Sequence, residues 1–598
     1  MKRIFYKVMM TSLSFMLLGK QGLIAKEKPN IIFIITDDQG MGDLGCTGNP
    51  FVKTPHIDRF YEQSVRLTNY HVSTTCAPTR ASLMTGRHCN RVNVYHTIAG
   101  RSLLLEDEVI LPQVLAQNGY TNAMFGKWHL GDNYPYRPED RGFHEVVRHG
   151  AGGIGQGPDY WMNEYFDDYY MHNGQAEKYQ GYCTDVFFDQ AINFIQENKD
   201  QPFFCYLATN APHAPYNLPT QYIDLYQGKK FEDIHPRCRR FYGMISNIDD
   251  NFNRLEQTLE ALNIKENTIV IFTTDNGTSA GKNVYNAGLK GGKGSQYDGG
   301  HRVPFFIRWP DGQITGGKDI DQLTAHYDLL PTLADLLGLD FNPSKKLDGK
   351  SFKPLLTSED YQWDNRILYM DTQREQNLIK YKQYTVMDER WRLIDGTKLY
   401  DMDQDRGQKV NVIEQHPEVA GRLQQGYERW WQSFIDEGAD QKYAYIKVGT
   451  PYENPTKISS HDLLTGRYYD VWHQNGAIEG KQAAGKWKIE FVETGTYNIT
   501  LRRFPKESNL GFNAVFPAQP HREELDKTAP ASTKNNFAEA RMYVAGITKS
   551  EKIAADDQQV TFTCKVPVGK YDFEAEIIDD LGRVHPAYYV YIEKVVGS

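Results

Sequence analysis

Cysteine is scarce, with seven in 598 residues, too few to staple a chain of this size as a disulfide scaffold. Basic residues are also in short supply. Lys and Arg number 67 against 76 Asp and Glu, for a formal charge of −9, which argues against a nucleic-acid-binding surface over most of the chain. No stretch reaches the roughly 20 apolar residues of a membrane-spanning helix, so no stable membrane insertion is expected. Internal repeats and low-complexity tracts are absent as well. With 40% hydrophobic and 24% charged residues, the composition is globular rather than disordered or fibrous. At about 150 residues per domain the length implies roughly four units, two of which a large α/β domain can absorb. Aromatics are plentiful at 13%, with 38 Tyr and 9 Trp, which suits carbohydrate stacking as well as core packing.

The amino terminus reads as an address. Lys2, Arg3 and Lys7 precede the apolar run Val8–Leu18, and Ala25 offers a small residue before Lys26. This is the pattern of a secretory signal peptide over residues 1–25, although Leu23 fits the cleavage site poorly. No Cys lies near Ala25 to take a lipid. The expected product is an exported protein, periplasmic or secreted, in a compartment where disulfides can form.

Residues 28–340 alternate between two periodicities. Asn30–Thr36, Pro202–Thr209, Thr268–Thr274 and Val303–Trp309 are β-branched or aromatic apolar runs, as expected of strands buried on both faces of a parallel sheet. Helical patterns at Thr54–Val65, Leu111–Asn118, Thr184–Asn198, Arg239–Leu262 and Ala325–Leu337 separate or follow them. The expected fold is α/β, a large, mostly parallel sheet between helices. Residues 341–440 suggest a small α+β subdomain, with short strands before the helical stretch Glu418–Phe434. Residues 450–598 alternate with period two between Gly turns and suggest an appended all-β module.

Five short motifs carry chemistry. Cys76-Ala-Pro-Thr-Arg80 is followed by Thr85-Gly86-Arg87, and C-x-P-x-R alone arises by chance in about one such chain in sixty. Asp37-Asp38 and Asp275-Asn276 each directly follow a strand run, where open sheets bind ligands. Their hard oxygens suit Ca²⁺ or Mg²⁺. Lys127 and His129, two apart, face one way on an extended segment, joining a cation to a proton acceptor. His213 in Ala211-Pro-His-Ala-Pro215 and Lys293 in Gly291-Gly-Lys-Gly294 lie on loops near strand exits. The latter lacks the G-x-x-x-x-G-K-[ST] order of a phosphate loop.

These motifs, in this order over Lys28 to Phe434, resemble the formylglycine-dependent (type I) sulfatases of the alkaline-phosphatase superfamily. The resemblance implies that a maturation enzyme oxidises Cys76 to formylglycine, whose hydrate is the nucleophile. It implies Ca²⁺ held by Asp37, Asp38, Asp275, Asn276 and the modified Cys76. Arg80 would present its donors to the diol or sulfate, Lys127 would stabilise charge there, and His129 would deprotonate the diol. His213 would serve the leaving group and Lys293 would grip sulfate. A geminal diol suits this task because its second hydroxyl can expel sulfate by rebuilding the aldehyde. The family more often has Glu where Asp298 stands, and many members have an aliphatic residue at His301. His301 is a further candidate to touch substrate, though packing is the commoner fate of such a histidine.

The expectation is a sulfuric-ester hydrolase acting on a small sulfated saccharide. Two alternatives are a phosphonate or phosphate diester hydrolase of the same superfamily and an inactive glycan-binding protein. Every expected catalytic position is filled, which counts against the last. If Cys76 is modified, the other six cysteines leave fifteen possible connectivities. The Gly-, Tyr- and Asp-rich segment His149–Tyr170 is the candidate loop for substrate selection.

Overall fold

The computed structural model describes residues 28–358, 360–465, 470–532 and 534–595; the segment read as a signal peptide lies outside them. The largest sheet has ten strands, numbered here in chain order: β1 (Asn30–Thr36), β2 (Val65–Leu67), β3 (Thr121–Gly126), β4 (Glu145–Arg148), β5 (Tyr169–His172), β6 (Gln175–Lys178), β7 (Phe203–Ala208), β8 (Thr268–Thr274), β9 (Phe305–Arg308) and β10 (Asp319–Ile320). Their spatial order is β10-β2-β9-β8-β1-β7-β3-β4-β5-β6. The central five, β8, β1, β7, β3 and β4, run parallel. Antiparallel β9 and β5 flank them.

The sequence of β1 explains its central place. Ile32 and Ile34 join one core cluster, with side chains from helices Pro55–Gln63, Cys183–Asn198 and Pro236–Ala261. Ile31, Phe33 and Ile35 join the other, with helices Cys76–Thr85, Leu111–Gln117 and Leu329–Leu337. A strand apolar on both sides must sit between two helix layers. β3 and β4 are found only in the structure: Asn122 and Gly126 break up one run, and the other is only four residues long.

Beyond the sheet, strands Leu368–Asp371, Tyr384–Met387, Trp391–Ile394 and Lys398–Asp401 form an antiparallel sheet. Helix Pro417–Ile435 packs on it through Leu423, Tyr427, Trp431 and Phe434. From Ile446–Val448 to Tyr589–Lys594 the chain builds a seven-stranded and a four-stranded sheet, both lining one apolar core. Leu103, Leu105 and Tyr136 from the α/β part belong to that same core. All seven cysteines are free. Among the described residues no helix is long and apolar enough to cross a membrane.

Phe272 on β8 is fully buried, with ring centroids 5.9 Å from Phe306 and 6.2 Å from Phe252. Phe272→Ala should cost about 3–5 kcal/mol and lower the thermal midpoint followed by near-UV circular dichroism. An unchanged midpoint would contradict the two-layer packing described here.

Candidate functional site

Four neighbouring parallel strands, in the order β8, β1, β7 and β3, deliver their carboxyl ends to one place. β8 leads into Asp275 and Asn276, and β1 into Asp37 and Asp38. The loop after β7 carries His213, and β3 leads into Lys127 and His129. Backbone bonds fix these exits: Asp37 N–H donates to Ala211 O at 3.1 Å, Asp275 N–H to Thr36 O at 3.1 Å, and Lys127 N–H to Ala208 O at 2.7 Å. Gly126 has φ 102°, and a Cβ there would stand 2.1 Å from Ala208 O, so only glycine allows the two strand ends to approach this closely.

Three carboxylates are buried together and each meets a cation. Arg80 donates to Asp275 Oδ2 through Nε at 3.1 Å and Nη2 at 2.7 Å, and through Nη1 to Lys127 O at 2.9 Å. Lys127 Nζ lies 2.6 Å from Asp37 Oδ2, and Lys293 Nζ 2.6 Å from Asp38 Oδ1. Burial, with Asp275 adding to it, pushes Asp37 well up despite Lys127. Burial pushes Asp38 the same way, but Lys293 and His213 outweigh it and hold that carboxyl low. Lys293 is correspondingly raised, Asp38 overcoming the cost of its burial.

The oxygens left over test for a metal. Asp37 Oδ1, Gln39 Oε1 and Asn276 Oδ1 are buried without a hydrogen-bond partner, an arrangement that costs free energy unless something else satisfies them. One ligand atom each from Asp37, Cys76 and Asp275 lies within 4.8 Å of the others, as does one each from Asp37, Asp38 and His213. Hard, orphaned oxygens beside buried carboxylates fit a hard divalent cation.

Cys76 opens helix Cys76–Thr85 and is 3% exposed. Burial raises its thiol, with Lys127 and Lys293 pulling the other way, so the unmodified side chain is a poor source of thiolate. Above it is a cavity of about 410 Å³ that His129, His213 and Lys293 also line. His129 lies in left-handed backbone, φ 63°, not on the extended segment expected from its spacing to Lys127. Its Nε2 is 2.9 Å from Thr97 O, which can only accept, so Nε2 carries the hydrogen and the unpartnered Nδ1 a lone pair. Burial, then Lys127, hold its pKa well below the usual value. His213 Nδ1 donates to Ala214 O at 2.5 Å, and its Nε2 stands 3.7 Å from Asp38 Oδ2. Burial and Lys293 lower its pKa to about 4.

Three expectations are corrected. Lys127, fully buried against Asp37, does not line the cavity and so does not reach substrate there. Arg80 spends its fork on Asp275 and the Lys127 carbonyl and does not line the cavity; it positions a carboxylate. His301 does not reach the cavity either. It is fully buried, with Nδ1 2.8 Å from His71 Nδ1 and Nε2 3.3 Å from Gln296 O. Its neighbour Asp298 pairs with Arg392 at 3.0 Å, tying the α/β sheet to the small antiparallel one. Sequence reasoning missed other cavity residues, His96, Arg374, Lys382 and Trp472, none of which sits in a motif. Gly152 and Gln156 of the His149–Tyr170 segment do line the cavity.

A family model described as Sulfatase matches residues 29–339, just over half of the chain. A second, described as N-sulphoglucosamine sulphohydrolase, C-terminal, matches residues 292–429. Human N-acetylgalactosamine-6-sulfatase is 31% identical over 365 residues, covering 56% of this chain and 66% of that enzyme, just under two thirds of its length. Human arylsulfatase A is 32% identical over 387 residues, 57% of this chain and 70% of that one. Among solved structures, Ps i-CgsB in complex with k-i-k-neocarrahexaose superposes with a TM-score of 0.61 at 28% identity, covering 68% of this chain and 93% of that chain.

The orphaned oxygens give a test that needs no turnover. Chelator-stripped protein should bind a divalent cation in a calorimetric titration, and Asp38→Ala or Asn276→Ala should weaken that binding at least about tenfold. Titrations unchanged in both variants would remove these side chains from any cation site.

Proposed function

Because the chain belongs to the sulfatase family, we propose that it is a sulfuric-ester hydrolase that removes sulfate from a saccharide outside the cytoplasm. The observation that carries this reading is the cavity in which Cys76, at a helix start, shares its walls with Lys293, His129 and His213, beside four buried strand-exit residues with hard oxygen donors. A saccharide is favoured by the human relative named for N-acetylgalactosamine 6-sulfate and by the solved neocarrahexaose complex. Export rests on the basic and apolar segment before Lys26.

Sulfatases generally use formylglycine and a divalent metal. Here Cys76 is the residue for a maturation enzyme to oxidise, and the all-oxygen set from Asp37, Asp38, Asp275 and Asn276 favours Ca²⁺. Once installed, the aldehyde hydrate would supply a nucleophilic hydroxyl, and a cation held by those four residues would polarise the sulfuryl group.

The chain's own side chains divide the remaining work. Asp37, Asp38 and Asp275 against Arg80, Lys127 and Lys293 balance to zero, so a dication leaves the site net positive, suited to a sulfate monoanion. Lys293, in the cavity wall, meets the sulfate oxygens. His129 offers the Nδ1 lone pair as a general base for the hydroxyl that expels sulfate. His213 keeps Nδ1 on the Ala214 carbonyl, leaving Nε2 to hand a proton to the departing alkoxide.

Sulfate release from a panel of sulfated mono- and disaccharides, with Cys76 confirmed as aldehyde by mass spectrometry, tests the whole reading. Release from a positional isomer supports it. Silence on every sulfate ester, with turnover of phosphate or phosphonate diesters, overturns it. Cys76→Ala should abolish turnover while leaving the circular dichroism spectrum intact; retained activity would sink the mechanism. His213→Gln should slow alkyl sulfates much more than activated aryl sulfates, whose leaving groups need little help. Because the acid form is depleted as pH rises above the His213 pKa, kcat/KM on an alkyl sulfate should decline with rising pH. That slope should flatten in His213→Gln; equal slopes would take His213 out of the general-acid role.

A further inference from the structure

Residues matched by the family models end at 429, yet one wall of the cavity above Cys76 comes from beyond them. Trp472, on the loop before helix Gln474–Glu479, lines that cavity together with His129, His213 and Lys293. It also borders an adjoining cavity of about 340 Å³, which shares His213 and Gln156 with the first. Half-buried Trp472 therefore shares a cavity with Lys293, His129 and His213, at the junction of two spaces.

The loop that carries it is held rigidly. Trp472 O accepts from Gly157 N–H at 2.9 Å, and Gln474 N–H donates to Gly155 O at 3.2 Å. The Gln474 side chain spans the same loop: Nε2 lies 3.2, 3.2 and 3.1 Å from the carbonyls of Gln156, Asp159 and Tyr160, and Oε1 accepts from Met162 N–H at 3.0 Å. From the other side Trp161 packs into the β module, its ring 5.4 Å from Phe504 and 6.1 Å from Phe516. The Trp472 and His473 rings also meet edge to face, their centroids 5.4 Å apart at 85°.

We propose that Trp472 is a specificity-determining residue, the platform on which the pyranose ring bearing the sulfate ester stacks, so that the carboxy-terminal β module forms part of the substrate site. The inference rests on the sulfatase reading and deepens it. A sugar ring offers a face of C–H groups and a rim of hydroxyls, and it needs a flat, rigid, apolar partner next to polar groups. Indole supplies that face at low entropic cost because its loop is already ordered. A sulfate seated on Lys293 carries its sugar one ester oxygen away, within the same cavity. An inorganic sulfate ion reaches the same cations and needs no platform.

That contrast is the test. In full-length Cys76→Ser protein, which binds without turnover, calorimetry compares inorganic sulfate with a panel of hexose and N-acetylhexosamine monosulfates, N-acetylgalactosamine 6-sulfate among them. Trp472→Ala should weaken the best-bound sugar sulfate at least tenfold while shifting inorganic sulfate less than twofold, and Trp472→Phe should recover most of the loss. Equal weakening of both ligands would make Trp472 a merely structural part of the wall and overturn the proposal, as would an unchanged sugar affinity. Sulfate bound with no sugar sulfate bound at all would overturn the saccharide reading itself, and this inference with it.

Discussion

Three carboxylates buried at adjacent strand exits set the terms for everything around them. Asp37, Asp38 and Asp275 are at most 2% exposed, and isolated charges at that depth cost several kcal/mol each. The chain meets the cost locally, giving each carboxylate its own cation within 2.7 Å. Arg80 and Lys127 are themselves fully buried, so they have no solvent to fall back on. Removing a member of this set strands its partner, which is the expensive event. The site is thus built as a balanced assembly whose neutrality leaves room for an added dication and an anionic substrate.

Such an assembly needs backbone that does not yield. The five-stranded parallel core supplies it, because each strand exit is bonded to its neighbour and both sheet faces are packed with helices. Against that frame Asp38 and His129 hold left-handed backbone, at φ 70° and 63°, a conformation that persists only where surroundings over-determine it. Gly152 belongs to the same account. A Cβ there would sit 2.2 Å from His129 Cε1, so this loop needs glycine to bring its backbone so close to the imidazole.

Legibility in the sequence followed the range of the interaction. β1, β7 and β8 announce themselves because burial on both faces demands unbroken apolar runs. β3 and β4 do not, being short and mixed in composition. Cys76, the two strand-exit pairs, and His129, His213 and Lys293 are visible as compact motifs, since each is tied to a local turn or strand end. The Arg80 contact is not legible, because its partner lies 195 residues away. His301 shows a related limit: its place next to a motif made it a candidate to touch substrate, whereas tertiary packing, the commoner fate of such a histidine, pairs it with His71, 230 positions earlier.

Trp472 is the extreme case, since nothing near it in sequence hints at a site whose motif residues, Cys76 to Lys293, all lie far upstream. Its position follows from the shared core. Leu103, Leu105 and Tyr136 pack among Trp487, Ile489 and Val590, so the β module cannot turn independently of the α/β sheet without exposing that apolar surface. Once the interface is fixed, the loop Gly155–Met162 is gripped between the two parts, and the cavity wall beside Gln156 is fixed with it. With Trp472 in the proposed role, change in the module's packing would be change in substrate fit, while the carboxylate and cation cluster below would stay as it is. The two parts of the chain would separate the requirements of the chemistry, which tolerate little variation, from recognition of the sugar, which can vary.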